Sequence, residues 1–590
     1  MVNLKAVLTR PKVSENYARN AFDRSFSVNT SYQLGGLEPF FCEPFIAGSH
    51  VKLNRSIFQR TADVNTAAFP KVDTHCEFFA VPIRLLWAYW NNFKLNIQDF
   101  NSSNFGSIVA SSQQFTPNSP SLSYFDIHSV LKQLNQELYA TNAAQPSSFW
   151  GYASQNTLAA RAANLGAMRL LAGLGYGCYP HSDMSTLDTG NQVFTVNPLK
   201  LLAYQKVYYD HFRNTAYESN DPSFYNMDDL AIAGSIANLR LGKFMTYRYV
   251  NYRKDYMYSH YPALNYTASL PSGSSWVISD SVLYQDSNGT NVSDVQVRPV
   301  SGGQTSFTSP IFSTINSSIS SVQQIRASFA LDKLLRASAY TPKHVKDQFE
   351  ARYGVKGVES GNESVSIGAF MNDIIIQEVV NQTAGTGSGG YSGLGMIGGK
   401  GVGYNGFGKD IEFTCKEDCI ILGVMYSLPR TSFDGTFIKN WNAKLDREDF
   451  FIPEYMNLSM QPFNQYELTF MNYNGNVYQP NFSTINSILG YKERYSEYKL
   501  GIDVNLGNFL RGGALSDFVV HSNSRYSYTG TPAYTADYFK VKPWDMDDVF
   551  AQATDTSDIT TDKFITHIDV KCICNQNMSV HGQPRNGGLG

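Results

Sequence analysis

Between Asn20 and Trp90 the chain is a series of short extended runs that ends at a proline and turns into a helix. Phe26-Ser27-Val28-Asn29-Thr30-Ser31-Tyr32 alternates almost residue by residue, the period of a strand with one buried face. A second run covers Val51 to Phe58, and a third, Cys76-Glu77-Phe78-Phe79-Ala80-Val81, stops at Pro82. Gly35-Gly36 and Ala47-Gly48 supply turns between them. From Pro82 to Trp90 the apolar residues take helical spacing instead. Strand-like runs return much later, at 410–428, 465–480 and 564–574. A chain that starts a sheet, leaves it and comes back needs a fold whose loops can grow without disturbing the core. On this pattern alone the protein is mainly β, with helical and loop insertions.

The intervening segments differ in kind. Periodicity predicts helices near 127–138, 157–171 and 198–217, and two more over 322–353, broken at Thr341-Pro342. The span 243–262 reads as an aromatic strand region, and 266–320, crowded with Ser, Thr, Asn and Gly, as a surface excursion. Glycine fills half of the positions in 385–408, which predicts a flexible or tightly folded loop beside a neighbouring subunit.

Only 16% of the residues are charged, whereas 14% are aromatic, with 37 Tyr and 38 Phe. That is well under the usual quarter of charged residues, and a free monomer of this composition would be poorly soluble. Wide contacts between subunits would explain it, because interface cores favour rings and exclude charge. A net charge of −3 argues against an overall electrostatic nucleic-acid binder. The charge is uneven, however. Residues 1–24 read as a mobile basic arm, with Lys5, Arg10, Lys12, Arg19 and Arg24 against Glu15 and Asp23, a balance of +3. Asp545, Asp547, Asp548, Asp555, Asp558 and Asp562 read as an acidic surface loop without the order of a calcium loop.

Seven cysteines in so long a chain do not make a disulfide framework, and their thiols suit a reducing compartment. Cys415-x3-Cys419 fits half of a zinc knuckle, but Cys572-x-Cys574 does not fit the other half, so neither metal nor cofactor is expected. No export signal or membrane-length apolar run is visible. Gly401-x-Gly403-x-x-Gly406 and Gly403-x4-Gly408-Lys409 imitate nucleotide-binding loops. They sit in a glycine-saturated stretch, Asp410 replaces the hydroxyl residue, and a strand rather than a helix follows. The histidines form no metal spacing, and no Gly-x-Ser-x-Gly elbow occurs, so the chain is not read as an enzyme. Two rival classes remain: a secreted or outer-membrane β-rich glycan-binding adhesin, which would need an export signal, and a large hydrolase, which would need convergent titratable groups in a pocket.

Longer strings are more specific. They include Phe22-Asp23-Arg24-Ser25 with Leu37-Glu38-Pro39-Phe40-Phe41, the helix led by Asn197-Pro198-Leu199 and closed by Phe212-Arg213, and Tyr252-Arg253-Lys254-Asp255-Tyr256. The helix Ile325 to Arg336 and the string Gly490-Tyr491-Lys492-Glu493-Arg494-Tyr495-Ser496-Glu497-Tyr498 follow. In this order they resemble the major capsid proteins of microviruses, the small icosahedral single-stranded DNA bacteriophages, and especially their gokushovirus-like branch. Tyr353-Gly354-Val355 stands where that family has Phe-Gly-Val. The segments 100–190 and 266–320 carry no resemblance.

The resemblance implies an eight-stranded antiparallel viral jelly roll with long loop and helical insertions. Residues 1–24 would be its arm and 25–590 a single capsid domain, with insertions at about 97–240, 266–320 and 322–408. It implies a virion protein, assembled in the bacterial cytoplasm as a T=1 shell of about 60 copies around a circular single-stranded DNA genome. Sixty such arms would bring only about 180 charges against thousands of phosphates, so a small basic packaging protein or cellular cations would assist. An internal scaffolding protein, a DNA pilot protein and a host surface receptor, met by 266–320, complete the implied partners. DNA contact would fall to Lys5, Arg10, Lys12, Arg19 and Arg24 in the arm. Arg253 and Lys254 are further candidates, since 243–261 interleaves basic residues with tyrosines. Those tyrosines read more readily as the buried face of a barrel strand.

Overall fold

The computed structural model describes residues 19–65, 68–95, 122–139, 149–151, 158–178, 193–230, 234–262, 344–355, 361–380, 397–456, 460–474, 477–480, 485–522, 536–550 and 562–578, with short pieces between 284 and 341 and residue 580. Ten strands form one sheet: β1 (Arg19–Asp23), β2 (Phe26–Tyr32), β3 (Glu38–Phe45), β4 (His50–Thr61), β5 (Val72–Pro82), β6 (Val365–Val380), β7 (Ile397–Asn405), β8 (Ile411–Thr414), β9 (Cys419–Pro429) and β10 (Phe564–Asn577). β1 and β2 both run along β10, and β7 and β8 both run along β4. Each of these pairs is therefore one interrupted strand, which leaves eight.

Numbered in chain order, the eight lie side by side as 1-8-3-6-5-4-7-2, every neighbour antiparallel. That is the order of a jelly roll: the sheet curls so that 1-8-3-6 faces 5-4-7-2, with the join between β7 and β6. β6 makes the corner. Its first half pairs with β5 and its second half with β7, with a register shift between Ser366 and Gly368.

The two halves read differently because their outer faces meet different things. β10 alternates strictly, with Phe564, Thr566, Ile568, Val570, Cys572 and Cys574 inside and Ile565, His567 and Lys571 outside. β9 is buried at every position from Cys419 to Pro429. Its outer side is covered by the helix α3 (Leu199–Val207), while α2 (Leu158–Gly173), which follows α1 (Ile127–Tyr139), lies on β3. A strand covered on both faces shows no period of two, so its run Ile420-Ile421-Leu422 is continuously apolar. The rings that the composition assigned to subunit contacts serve largely within the chain. Phe40 and Phe41 meet Phe78 edge-on inside the barrel, and Tyr204, Tyr208 and Tyr247 are buried between insertion and sheet.

Four expectations change. The glycine run is not a loop where it is described: Ile397–Asn405 is a barrel strand, and β6 before it is another, so the insertion expected at 322–408 contains two strands of the fold. A Cβ on Gly401 would stand 2.5 Å from Thr61 Cγ2 and 2.9 Å from Ile374 Cγ2. Glycine is used there for close approach between strands, not for freedom. The helix expected over 198–217 ends at Phe212 as a π turn, Tyr208–Phe212. The span 465–480 opens with a helical turn, Gln465–Leu468, before a small separate hairpin. The acidic stretch is largely neutralised: Asp547 pairs with Lys563 at 3.1 Å, Asp548 with Arg511 at 3.7 Å and Asp562 with Arg169, while Asp545 accepts from Tyr252 Oη at 2.5 Å. Asp555 and Asp558, the insertion 266–320 apart from four two-residue strands, and the helix 325–336 apart from isolated residues lie outside the described residues.

Candidate nucleic-acid and assembly surfaces

Of the basic residues singled out in the arm, Lys5, Arg10 and Lys12 lie outside the described residues. Arg19 opens β1, so the part of the arm from Arg19 to Asp23 is built into the sheet. Its guanidinium donates to the carbonyls of Gly48 and Asn575. Arg24 pairs with Glu43, donates to Pro44 O at 3.1 Å and lies 4.8 Å over the Phe45 ring. Both arginines fasten the first strand to the β3–β4 turn.

The segment 243–261 is not a barrel strand. The helix α4 (Asn238–Phe244) leads into an irregular stretch held by isolated bridges, Tyr249 to Gly36 and Asn251 to Lys540. Its rings are nonetheless turned inward, with Tyr247, Tyr252, Tyr256 and Tyr258 each no more than 9% exposed. Such rings are not open for bases to stack on. Arg253 spends its charge on Asp73 at 2.8 Å and donates to His75 Nε2 at 2.9 Å. Burial, and next the Arg253 charge, hold His75 below its ordinary range. Asp255 caps the following turn through Met257 N and Tyr258 N, both at 2.8 Å, and burial still pushes its carboxyl up. Lys254 is exposed and makes no ion pair or hydrogen bond among the described residues.

The specific string at 490–498 is structural. Lys492, fully buried, pairs with Glu467, which also accepts from Tyr256 Oη at 2.6 Å, and the ammonium lies 3.6 Å from the centre of the Tyr256 ring. Glu497 pairs with Lys444, and Glu493 with Lys499 at 3.0 Å. Cys415 and Cys419 are buried with their sulfurs 3.1 Å apart, and Cys572 and Cys574 point into the barrel.

A feature that reasoning on the sequence missed is the outer face of the 1-8-3-6 half. Ile565, Arg60, Val402 and Ile375 stand in register across β10, β4, β7 and β6. His567, Phe58 and Tyr404 form the adjacent rung, with Arg60 5.2 Å over the Phe58 ring. Tyr404 is 69% exposed, Ile375 63% and Ile565 57%. No described helix covers them. The sequence signal in β10 was the doublet Phe564-Ile565, which puts an apolar residue at an outward position.

A family model described as capsid protein (F protein) matches residues 12–144, which include β1 to β5 and α1. Two curated relatives are similar over shorter stretches. Capsid protein VP1 of Bdellovibrio phage phiMH2K is 29% identical over 80 residues, 14% of this chain and 15% of the relative. Capsid protein VP1 of Chlamydia phage 1 is 31% identical over 75 residues, 13% of each chain. The aligned part thus spans about one seventh of either relative. The matched stretch holds the strands that start the jelly roll, and the remaining strands close it in the order such a barrel requires. Over that stretch the chain is similar to the capsid protein (F protein) family, and the fold of the rest is consistent with it.

Proposed function

We propose that this protein is the major capsid protein of a microvirus-type phage, a virion component that closes around the genome by binding copies of itself. The observation that carries the reading is the strand order 1-8-3-6-5-4-7-2 in a chain whose first five strands fall within the family match. A T=1 shell of about 60 copies is the arrangement that follows for a single protein species. The exposed rungs on β10, β4, β7 and β6 support it: an apolar patch of this breadth on a free monomer favours association. The genome enclosed would be circular single-stranded DNA. Residues 1–18 would supply part of the counter-charge and a small basic packaging protein the rest. Scaffolding and pilot proteins would act during assembly in the bacterial cytoplasm, and 266–320 would meet the host receptor.

Electron microscopy of the purified protein tests the core of this reading. Uniform closed shells are expected, and a product that stays monomeric at high concentration would overturn it. Deleting residues 1–18 should lower the DNA content of assembled particles, and deleting 275–300 should leave shells while reducing adsorption.

A further inference from the structure

The turn that carries the chain from β8 to β9 has a thiol at each end. Cys415 follows the last residue of β8 and Cys419 opens β9, so the turn 415–419 passes from the 1-8-3-6 half of the barrel to the 5-4-7-2 half. Backbone bonds fix both ends. Cys415 N donates to Ser49 O at 2.8 Å, and Cys415 O accepts from Gly48 N at 2.7 Å. Cys419 stands between Phe45 of β3 and Pro82 of β5 in the sheet. The residues between are anchored as well. Glu417 pairs with Arg84 at 2.6 Å; Asp418 pairs with Lys94 and accepts from Trp90 Nε1 and Ala47 N, each at 3.0 Å.

This frame holds the two sulfurs 3.1 Å apart, with Cys419 Sγ donating to Cys415 Sγ. A disulfide is about 2.05 Å long, so closure asks for a movement of only about 1 Å. The same hydrogen bond holds the Cys415 thiol below its ordinary range, against burial and the Asp418 charge, which makes Cys415 the readier nucleophile. Cys572 and Cys574 share a face of β10 but stand two positions apart on one strand, a rise of roughly 6–7 Å, too far to join without distorting it. Cys415 and Cys419 are 1% and 3% exposed. A protein oxidant cannot reach them, whereas hydrogen peroxide is little larger than water.

We propose that Cys415 and Cys419 are an oxidative modification site, which a low-molecular-weight peroxide converts to a disulfide that fastens the two halves of the barrel at this corner. The deprotonated Cys415 sulfur attacks one peroxide oxygen: an S–O bond forms, the O–O bond breaks, and the departing hydroxide takes up the thiol proton as water. Cys419 sulfur then attacks the Cys415 sulfenic sulfur: the S–S bond forms, the S–O bond breaks, and hydroxide leaves with the Cys419 proton as a second water. The two thiols lose two electrons and the peroxide gains them. A reducing compartment keeps the pair open, so the bond forms in protein that has left one. None of this depends on the capsid reading.

Lys416 lies between the two cysteines, so trypsin reads the bond directly. The purified full-length chain is treated with a small excess of hydrogen peroxide, its remaining thiols are alkylated after denaturation, and the tryptic digest is weighed. Peptides 410–416 and 417–430 should be separate and alkylated before treatment, joined after it, and separate again on reduction. Closing this loop of five residues should also lower the unfolded-to-folded ratio roughly 30-fold, read as a higher urea midpoint. Cys419→Ala should show no such rise, which separates the bond from oxidation elsewhere. Should that variant misfold, the wild-type digest and midpoint decide alone. Peptides that stay separate, or joined peptides with an unchanged midpoint, would overturn the proposal.

Discussion

Replacing Gly401 by alanine tests the assignment of the glycine run to the barrel. The new Cβ would lie 2.5 Å from Thr61 Cγ2 and 2.9 Å from both Thr61 Oγ1 and Ile374 Cγ2. Ordinary contact begins near 3.4 Å, so at least one neighbour must move by most of an ångström. Neither moves cheaply, because both are β-branched with stiff χ1 angles, and they belong to the strands on either side, β4 and β6. Thr61 also accepts the Gly401 amide at 2.7 Å, and displacement breaks that bond. Overpacking costs about 1–3 kcal/mol and the lost bond about 1 kcal/mol, so a loss of roughly 2–4 kcal/mol is expected. Gly398, in the same strand, is the control. Its added Cβ would find nothing nearer than 3.8 Å, and Gly398→Ala should be neutral or stabilise by up to about 1 kcal/mol through the unfolded chain. Urea unfolding followed by tryptophan fluorescence measures both. If Gly401→Ala unfolded within about 0.5 kcal/mol of wild type, or the two variants shifted together, the close-packing argument would fail.

Burial pushes the Glu38 carboxyl up to about 7, against the opposing Arg169 charge and the Tyr247 hydroxyl that donates to it at 2.9 Å. The unfolded chain then ionises first, so stability is lost as pH rises from about 4.5 to 7. Glu38→Gln should remove on the order of 3 kcal/mol of that pH dependence, and superimposable pH profiles for the two proteins would count against it. Lys492→Met would strand Glu467 in the core and should cost about 3–5 kcal/mol, with Glu467→Leu/Lys492→Met recovering most of it; a double variant no better than the single, measured by the same unfolding curves, would contradict the ion-pair account. Ile565→Ser/Tyr404→Ser removes exposed apolar groups that make no core contact, so circular dichroism should be unchanged while shell yield by sedimentation falls at least several-fold. Normal shell yield would take that face out of the assembly contacts.

What could be read from the residues followed where one physical cause acted alone. β2, β4 and β10 alternate because one face meets the core and the other meets solvent, and the helices α1 and α2 announced themselves by period. β9 was legible as a strand, but not as one covered twice. β7 was misread because its glycines satisfy a tertiary demand, the nearness of Thr61 and Ile374, which no local pattern encodes. The tyrosines of 247–258 were correctly expected to be buried, but in an irregular segment rather than a strand, since what they meet comes from remote parts of the chain: Glu38 for Tyr247, Asp545 for Tyr252, Glu467 for Tyr256. Arg253 was indistinguishable from Lys254 in sequence. Only the fold reveals that Asp73 has claimed the first and left the second open.

The placement of β10 governs the order of events when this protein is made. Phe564–Asn577 lies between β1–β2 and β4, so the earliest strands to leave the ribosome have no central neighbour until nearly all of the chain has been translated. At typical elongation rates that delay is on the order of a minute. An interrupted product would keep its first strands unsatisfied and could not complete a barrel. Completion of this sheet therefore waits on a strand some five hundred residues downstream of the ones it joins.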